Sequence, residues 1–165
     1  MSYLDESVIE GRWSVPAECR FAVVASRFNH LVVDRLIEGA VHSLRMHGVD
    51  GERVDVLRVP GAWELPLAAE LALQSGRYDA LIVLGAVIRG ATAHFDFVAG
   101  PCVQSLQRLM VEHRRPIALG LLTTDSIEQA VERAGTKAGN KGEEAARSAL
   151  EMVSLAQRLG AAAKR

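Results

Sequence analysis

Aromatic side chains are scarce in this chain, with two tryptophans, two tyrosines and four phenylalanines in 165 residues. Cysteine is as rare: Cys19 and Cys102 lie far apart, which excludes a disulfide framework and leaves both expected as reduced thiols. No Cys/His cluster has metal-ligand spacing. Charge of one sign is missing too, since 19 Lys and Arg against 20 Asp and Glu leave a formal net charge of −1. Such a balance lacks the basic footprint of a nucleic-acid binder. No apolar run reaches membrane-spanning length. The opening residues MSYLDESVIE are acidic and lack the basic and apolar regions of a signal peptide. The expectation is a cytoplasmic protein with neither nucleic-acid nor membrane partners.

What is present is an apolar fraction of 49%, enough for one substantial core, and an alternation of two patterns. Residues 21–26 (FAVVAS) form a short continuous apolar run, as a buried parallel strand does. Residues 31–47 then carry Val33, Leu36, Ile37, Ala40, Val41 and Leu44 at helical spacing, with Gly48 as a stop. The spacing predicts a second strand over 54–59 and a helix over 64–75 with Pro66 in its first turn. A third strand is expected over 80–85 and a helix over 94–112, in which Pro101 calls for a kink or a late start. A fourth strand falls at 117–121. Asp125 or Ser126 can cap a short helix, with Glu128 and Gln129 placed for a capping box. The segment GTKAGNKG (135–142) is too rich in glycine for a helix interior, and a last helix covers 143–159.

This βα alternation implies an α/β three-layer sandwich with a four-stranded parallel sheet between helices. It forms one domain, with an N-terminal arm (1–19), a core (20–158) and a C-terminal tail (159–165). The arm holds Val8, Ile9 and Trp13 but has no room for its own core, so it is expected to dock on a neighbouring subunit. Ligands of such sheets bind beyond the carboxyl ends of the strands. There lie RFNH, PGAWE, the 86–94 loop and TTDS.

Several residues in these segments invite chemistry. Gly90 lets a backbone approach a ligand closely, and Thr92 offers a hydroxyl and an N–H near a helix start, where anions are favoured. An ordinary strand-to-helix turn explains the same residues. His94 is placed to move protons, and equally to be an idle helix-start histidine. Arg133 and Lys141 flank the glycine-rich segment, where they can grip a phosphate or complement helix ends. Phe28 and Trp63 each follow a strand, and either can stack on a flat heterocycle or pack against protein. Glu64 can accept hydrogen bonds from sugar hydroxyls or simply favour its helix start. His42, His47 and His113 read as solvated.

Taken together, RFNHLVVDRLIEGA (27–40), VPGAWELPLAA (59–69), LGAVIRGATAHFDFVA (84–99) and LGLLTTDSIEQAVERAGTKAGNKGEEAA (119–146) resemble the lumazine synthase family in order and spacing. The resemblance implies a flavodoxin-like sandwich whose N-terminal strand is added to a neighbouring subunit. Phe28 matches the ring that stacks on a pyrimidine, and Ala62, Trp63, Val87 and Ile88 match positions that hold the heterocycle, largely through backbone groups. Glu64 matches the residue that binds ribityl hydroxyls, with Asn29 beside that pocket. Gly90, Ala91 and Thr92 match the phosphate loop, His94 the proton-transfer residue, and Arg133 and Lys141 the phosphate-binding cations. Leu119 departs from the family pattern, standing where many members carry a phenylalanine contributed by the adjacent subunit; weaker ring contact is the expected consequence.

The implied reaction condenses 3,4-dihydroxy-2-butanone 4-phosphate with 5-amino-6-(D-ribitylamino)uracil and uses no metal or redox cofactor. The implied assembly is a homopentamer in which Arg133 and Lys141 serve a neighbour's site. The compact 135–142 turn favours a hollow 60-subunit shell, whereas Pro16 counts against an ordered arm; the turn is weighted above the proline. Riboflavin synthase is a candidate partner. Two other classes keep some of the same residues, namely a flavin or lumazine carrier, and a Schiff-base aldolase acting through Lys141.

Overall fold

The computed structural model describes residues 8–160. Four strands form one parallel sheet in the order β2-β1-β3-β4. They are β1 (Phe21–Ser26), β2 (Val54–Val59), β3 (Ala80–Ile88) and β4 (Ile117–Thr124). Residues along β1 and β3 alternate between two cores because successive side chains leave opposite faces of a strand. Phe21, Val23 and Ala25 of β1 pack with α1 (His30–Met46) and α5 (Lys141–Arg158). Ala22 and Val24 pack with α2 (Leu65–Gln74) and α3 (His94–His113). The sheet is therefore covered on both faces, which is why β1 and most of β3 read as unbroken apolar runs.

The chain steps from β1 outward to β2, then returns across β1 to β3. Connections diverge at the β1–β3 junction, leaving a crevice beyond the carboxyl ends of those two strands. Asn29 closes the floor of that crevice. Its backbone is left-handed (φ 57°), and its side-chain amide donates to the Ala86 carbonyl at 2.8 Å instead of capping α1. Asparagine tolerates this conformation better than most residues.

Several elements differ from their sequence-based expectation. β3 runs on to Ile88 and β4 to Thr124, because Ala86, Val87 and Ile88 pair with Leu122, Thr123 and Thr124. Residues expected in loops are thus held in the ladder. α3 continues through Pro101, which sits on an exposed face and removes one intrahelical donor without ending the helix. α5 starts at Lys141, earlier than its glycine content implied, because the Asn140 side chain accepts from the N–H groups of Gly142 and Glu143 at 2.8 and 3.3 Å. The rest of that segment is a small antiparallel hairpin, β5 (Ala134–Thr136) and β6 (Gly139–Asn140). Gly135 (φ 102°) and Gly139 (φ 74°) supply its left-handed backbone. Ser126 caps α4 (Ile127–Glu132) and accepts from the Gln129 N–H, while the Gln129 side chain returns to the Asp125 N–H at 2.9 Å.

Two histidines expected in solvent are half-buried. Nδ1 of His47 lies 2.7 Å from the Ser43 carbonyl, and Nε2 of His113 lies 2.7 Å from Glu70, joining α3 to α2. His42 is exposed as expected. The described part of the arm runs over its own chain: Trp13 meets His47 edge-on at 5.5 Å, the Arg147 guanidinium lies 5.6 Å from its ring, and Arg158 donates to the Glu10 carbonyl. Trp13 stays half-exposed. Residues 1–7 of the arm and 161–165 of the tail lie outside the described residues. Cys19 and Cys102 are both buried.

At the amino ends of the strands, away from the crevice, the Asp55 carboxylate accepts from Tyr78 Oη at 2.8 Å and pairs with Arg77 at 3.1 Å and Arg20 at 3.5 Å. The Tyr78 hydrogen bond foremost, with the two arginines, holds the Asp55 carboxyl below its ordinary value of 3.8. A depressed carboxyl contributes stability that is present above the unfolded-state value and disappears as pH falls through the folded-state value. Asp55→Asn should therefore lower Tm at neutral pH, with the difference from the unaltered protein closing below about pH 3.8. A Tm difference independent of pH would show that the charge of Asp55 contributes nothing.

Candidate active site at the carboxyl ends of the strands

Each wall of the crevice is built by the segment that leaves one strand. After β1, the Arg27 N–H donates to the Val59 carbonyl (2.7 Å) and the Phe28 N–H to the Pro60 carbonyl (3.1 Å), which stitches this segment to the end of β2. The Phe28 side chain is left 72% exposed, a high value for a phenylalanine. After β2, residues Ala62–Glu64 form a single 3-10 turn. Glu64 closes this turn by accepting from the Gly61 N–H at 2.9 Å, and Trp63 is 65% exposed. After β3 come Gly90 and Thr92, then His94 as the first residue of α3.

Together these segments enclose a cavity of about 870 Å³. Phe28, Asn29, Ala62, Trp63, Glu64, Val87, Ile88, Gly90, Thr92 and His94 line it, so ten of the residues singled out in the sequence converge on one place. The size suits a small-molecule ligand of two or three rings or their equivalent. Aromatic faces from Phe28, Trp63, Phe95 and Phe97 line it. So does the start of a 20-residue helix, where unpaired N–H groups and the dipole favour an anion.

Four expected residues do not line this cleft. Ala91 is in the turn but outside the lining. Leu119, 49% exposed, pairs in register with Val83 on the edge strand β4. Arg133 follows α4 and donates to the Gln129 carbonyl at 3.0 Å. Lys141 opens α5, with Nζ 2.6 Å from Glu144. Its backbone N–H donates to the Arg133 carbonyl at 2.9 Å, so the two residues adjoin through their backbones.

Phe95, Phe97, Val98 and Pro101 also line the cleft and were missed in the sequence. Their signal is helical periodicity: His94, Phe97, Val98 and Pro101 follow the i, i+3, i+4, i+7 pattern of one helix face. Arg89, just past β3, lies 4.1 Å from the Phe95 ring centroid and is hydrogen-bonded to Asp125 and Asp96. These carboxylates, Asp125 foremost, raise its affinity for its proton. Further down α3, burial pushes the Cys102 thiol up to about 11, which keeps it protonated and unreactive at neutral pH. Among the described residues no group of three or more His, Cys, Asp or Glu is placed to hold a metal ion. Nor is any helix among them long and apolar enough to cross a membrane.

Sheet order, helix placement and crevice make this an α/β sandwich with a cleft of small-molecule size at the point where its connections diverge. The family model for 6,7-dimethyl-8-ribityllumazine synthase matches residues 18–157, and the chain belongs to that family. It is accordingly a transferase of riboflavin biosynthesis.

Proposed function

We propose that the protein condenses 3,4-dihydroxy-2-butanone 4-phosphate with 5-amino-6-(D-ribitylamino)uracil to give 6,7-dimethyl-8-ribityllumazine, phosphate and water. The observation that carries this reading is the convergence of Phe28, Trp63, Glu64, Gly90, Thr92 and His94 on one cleft. Aromatic faces suit the pyrimidine, Glu64 retains lone pairs for ribityl hydroxyls beyond the one used by Gly61, and the α3 start suits the phosphate. In the proposed sequence the pyrimidine amine attacks the ketone carbonyl, and water leaves as an imine forms. Elimination then expels phosphate, and ring closure releases a second water. His94 carries protons between these steps. Holding two reactants in register can supply roughly 7–11 kcal/mol of the barrier in ideal cases, which suits a cleft rich in binding groups and poor in strong acids and bases.

Arg133, Lys141 and Leu119 do not line their own cleft and are proposed to complete the cleft of the adjacent subunit in a homopentamer. Exposed Leu67, Leu71 and Phe97 on the α2–α3 side, and Leu119, Ile127 and Val131 on the β4–α4 side, support burial against further copies. Twelve pentamers would form the shell, which negative-stain microscopy should show as uniform hollow spheres; discs would overturn that part. The proposal includes a single cytoplasmic domain, with riboflavin synthase as a partner to test.

Mixing the two substrates with purified protein should yield a fluorescent lumazine at a rate well above the uncatalysed reaction. Tight binding of the product with no turnover would mean a carrier instead. His94→Ala should lower kcat by roughly 10- to 100-fold, at the weak end of acid–base catalysis because the substrate's own amine can move protons. Product affinity should change little. A kcat unaffected by this substitution would remove His94 from the mechanism.

A further inference from the structure

Arg89 follows the last residue of β3 and precedes Gly90, yet its side chain does not line the cleft. It makes contacts with three segments. Nε donates to Asp125 Oδ1 at 3.0 Å, in the turn before α4. Nη1 lies 3.3 Å from both oxygens of Asp96, in the first turn of α3. The guanidinium packs against Phe95, which forms part of the cleft wall, and the Arg89 N–H extends the β3–β4 ladder to the Thr124 carbonyl at 2.8 Å.

The neighbouring turn has few ties of its own. Gly90, Ala91 and Thr92 are exposed, and among the described residues no hydrogen bond joins any of them to another segment. Ala93 at the α3 N-cap has no side chain able to cap the helix. Residues held so loosely sample many conformations unless their flanks are fixed. Arg89 fixes both flanks, since it begins the turn and grips Asp96 at its far end. Charge points the same way. Asp96 lies at the helix end that would receive an anion, and an unpaired carboxylate there would repel one. The three side chains are 42%, 62% and 73% exposed for Arg89, Asp96 and Asp125, so these pairs add little to global stability. A two-carboxylate fork instead sets direction, as planar guanidinium geometry does.

We propose that Arg89 is a positioning residue for the anion-receiving turn: it holds residues 90–94 in the shape that binds the substrate phosphate, and it neutralises Asp96 beside them. This inference rests on the reading of the α3 start as a phosphate site. Steady-state kinetics on Arg89→Gln and Arg89→Lys, with Tm and inorganic phosphate as inhibitor, test it. Arg89→Gln should raise KM for the ketone phosphate and the inhibition constant for phosphate together, by about tenfold or more, with KM for the pyrimidine within about twofold and Tm little changed. Arg89→Lys should recover part of the loss, because a lysine restores the charge but not the fork. Equal rises in both Michaelis constants, kinetics within about twofold of the unaltered protein, or a fall in Tm with unchanged constants would each overturn the proposal. If the unaltered protein forms no lumazine, the reaction assigned above fails instead. Calorimetric titration with inorganic phosphate, comparing the unaltered protein with Arg89→Gln, then decides the role of Arg89 separately: weaker binding by the variant sustains it, and equal binding or none overturns it.

Discussion

Arg133→Ala is expected to raise the Michaelis constant for the ketone phosphate by roughly 30- to 1000-fold while leaving that for the pyrimidine nearly unchanged. The range corresponds to about 2–4 kcal/mol for losing a charge-assisted clamp in a closed site. Within its own chain Arg133 has modest duties. One terminal nitrogen donates to the Gln129 carbonyl and stands 4.0 Å from Glu132, so most of the guanidinium fork has no partner among the described residues. It also stands outside its own chain's cleft, so the proposed recipient of that fork is a neighbour. Mixing Arg133→Ala with His94→Ala subunits under exchange conditions should then restore activity above the weighted mean of the parents, because some clefts would contain both intact residues. If mass spectrometry shows exchange and no activity returns, both residues work within one chain. Equal rises in both Michaelis constants would assign Arg133 a structural task.

A second large effect is expected at Gly142, in stability. A Cβ built there would lie 2.0 Å from the Leu36 carbonyl oxygen and 2.8 Å from its carbon. Those atoms are backbone, so no rotamer change can relieve the overlap. α5 presents Gly142, Ala145, Ala146 and Ala149 to α1, a stripe of small residues at helical spacing that brings the two helix backbones close. Gly142→Ala must push the helices apart and should cost on the order of 3 kcal/mol. In a domain of this size that is a fall in Tm of roughly 6–12 °C. Calorimetry at fixed protein concentration checks it, since an oligomer's Tm depends on concentration. An unchanged Tm would mean that α5 shifts at no cost.

Much of the architecture was legible in the sequence. The short apolar runs 21–26 and 80–85 matched strands buried on both faces, and the 3.6-residue recurrence from Val33 to Leu44 matched a helix. Family motifs added the cleft residues that follow β1, β2 and β3. Less legible were features that depend on a partner strand or helix. The ladder from Ala86 to Ile88 persists because Leu122 to Thr124 run alongside, and nothing local in AVIRG announces that neighbour. Phe97 and Pro101 join the cleft only because α3 is laid across it.

The sequence by itself determined the four strand runs, the helices that follow them and the residue types that carry chemistry. Those depend on side-chain period and on the backbone preferences of near neighbours. Tertiary structure decided what meets what. Asn29 reaches Ala86, 57 residues away, because β1 lies beside β3, a sheet order that no local pattern encodes. It likewise decided that Arg89 grips Asp96 and Asp125, and that Arg133 and Lys141, joined through their backbones, lie outside the lining of their own cleft. Contacts of this kind are set by the packing of two helix layers against a twisted sheet, which no single segment specifies.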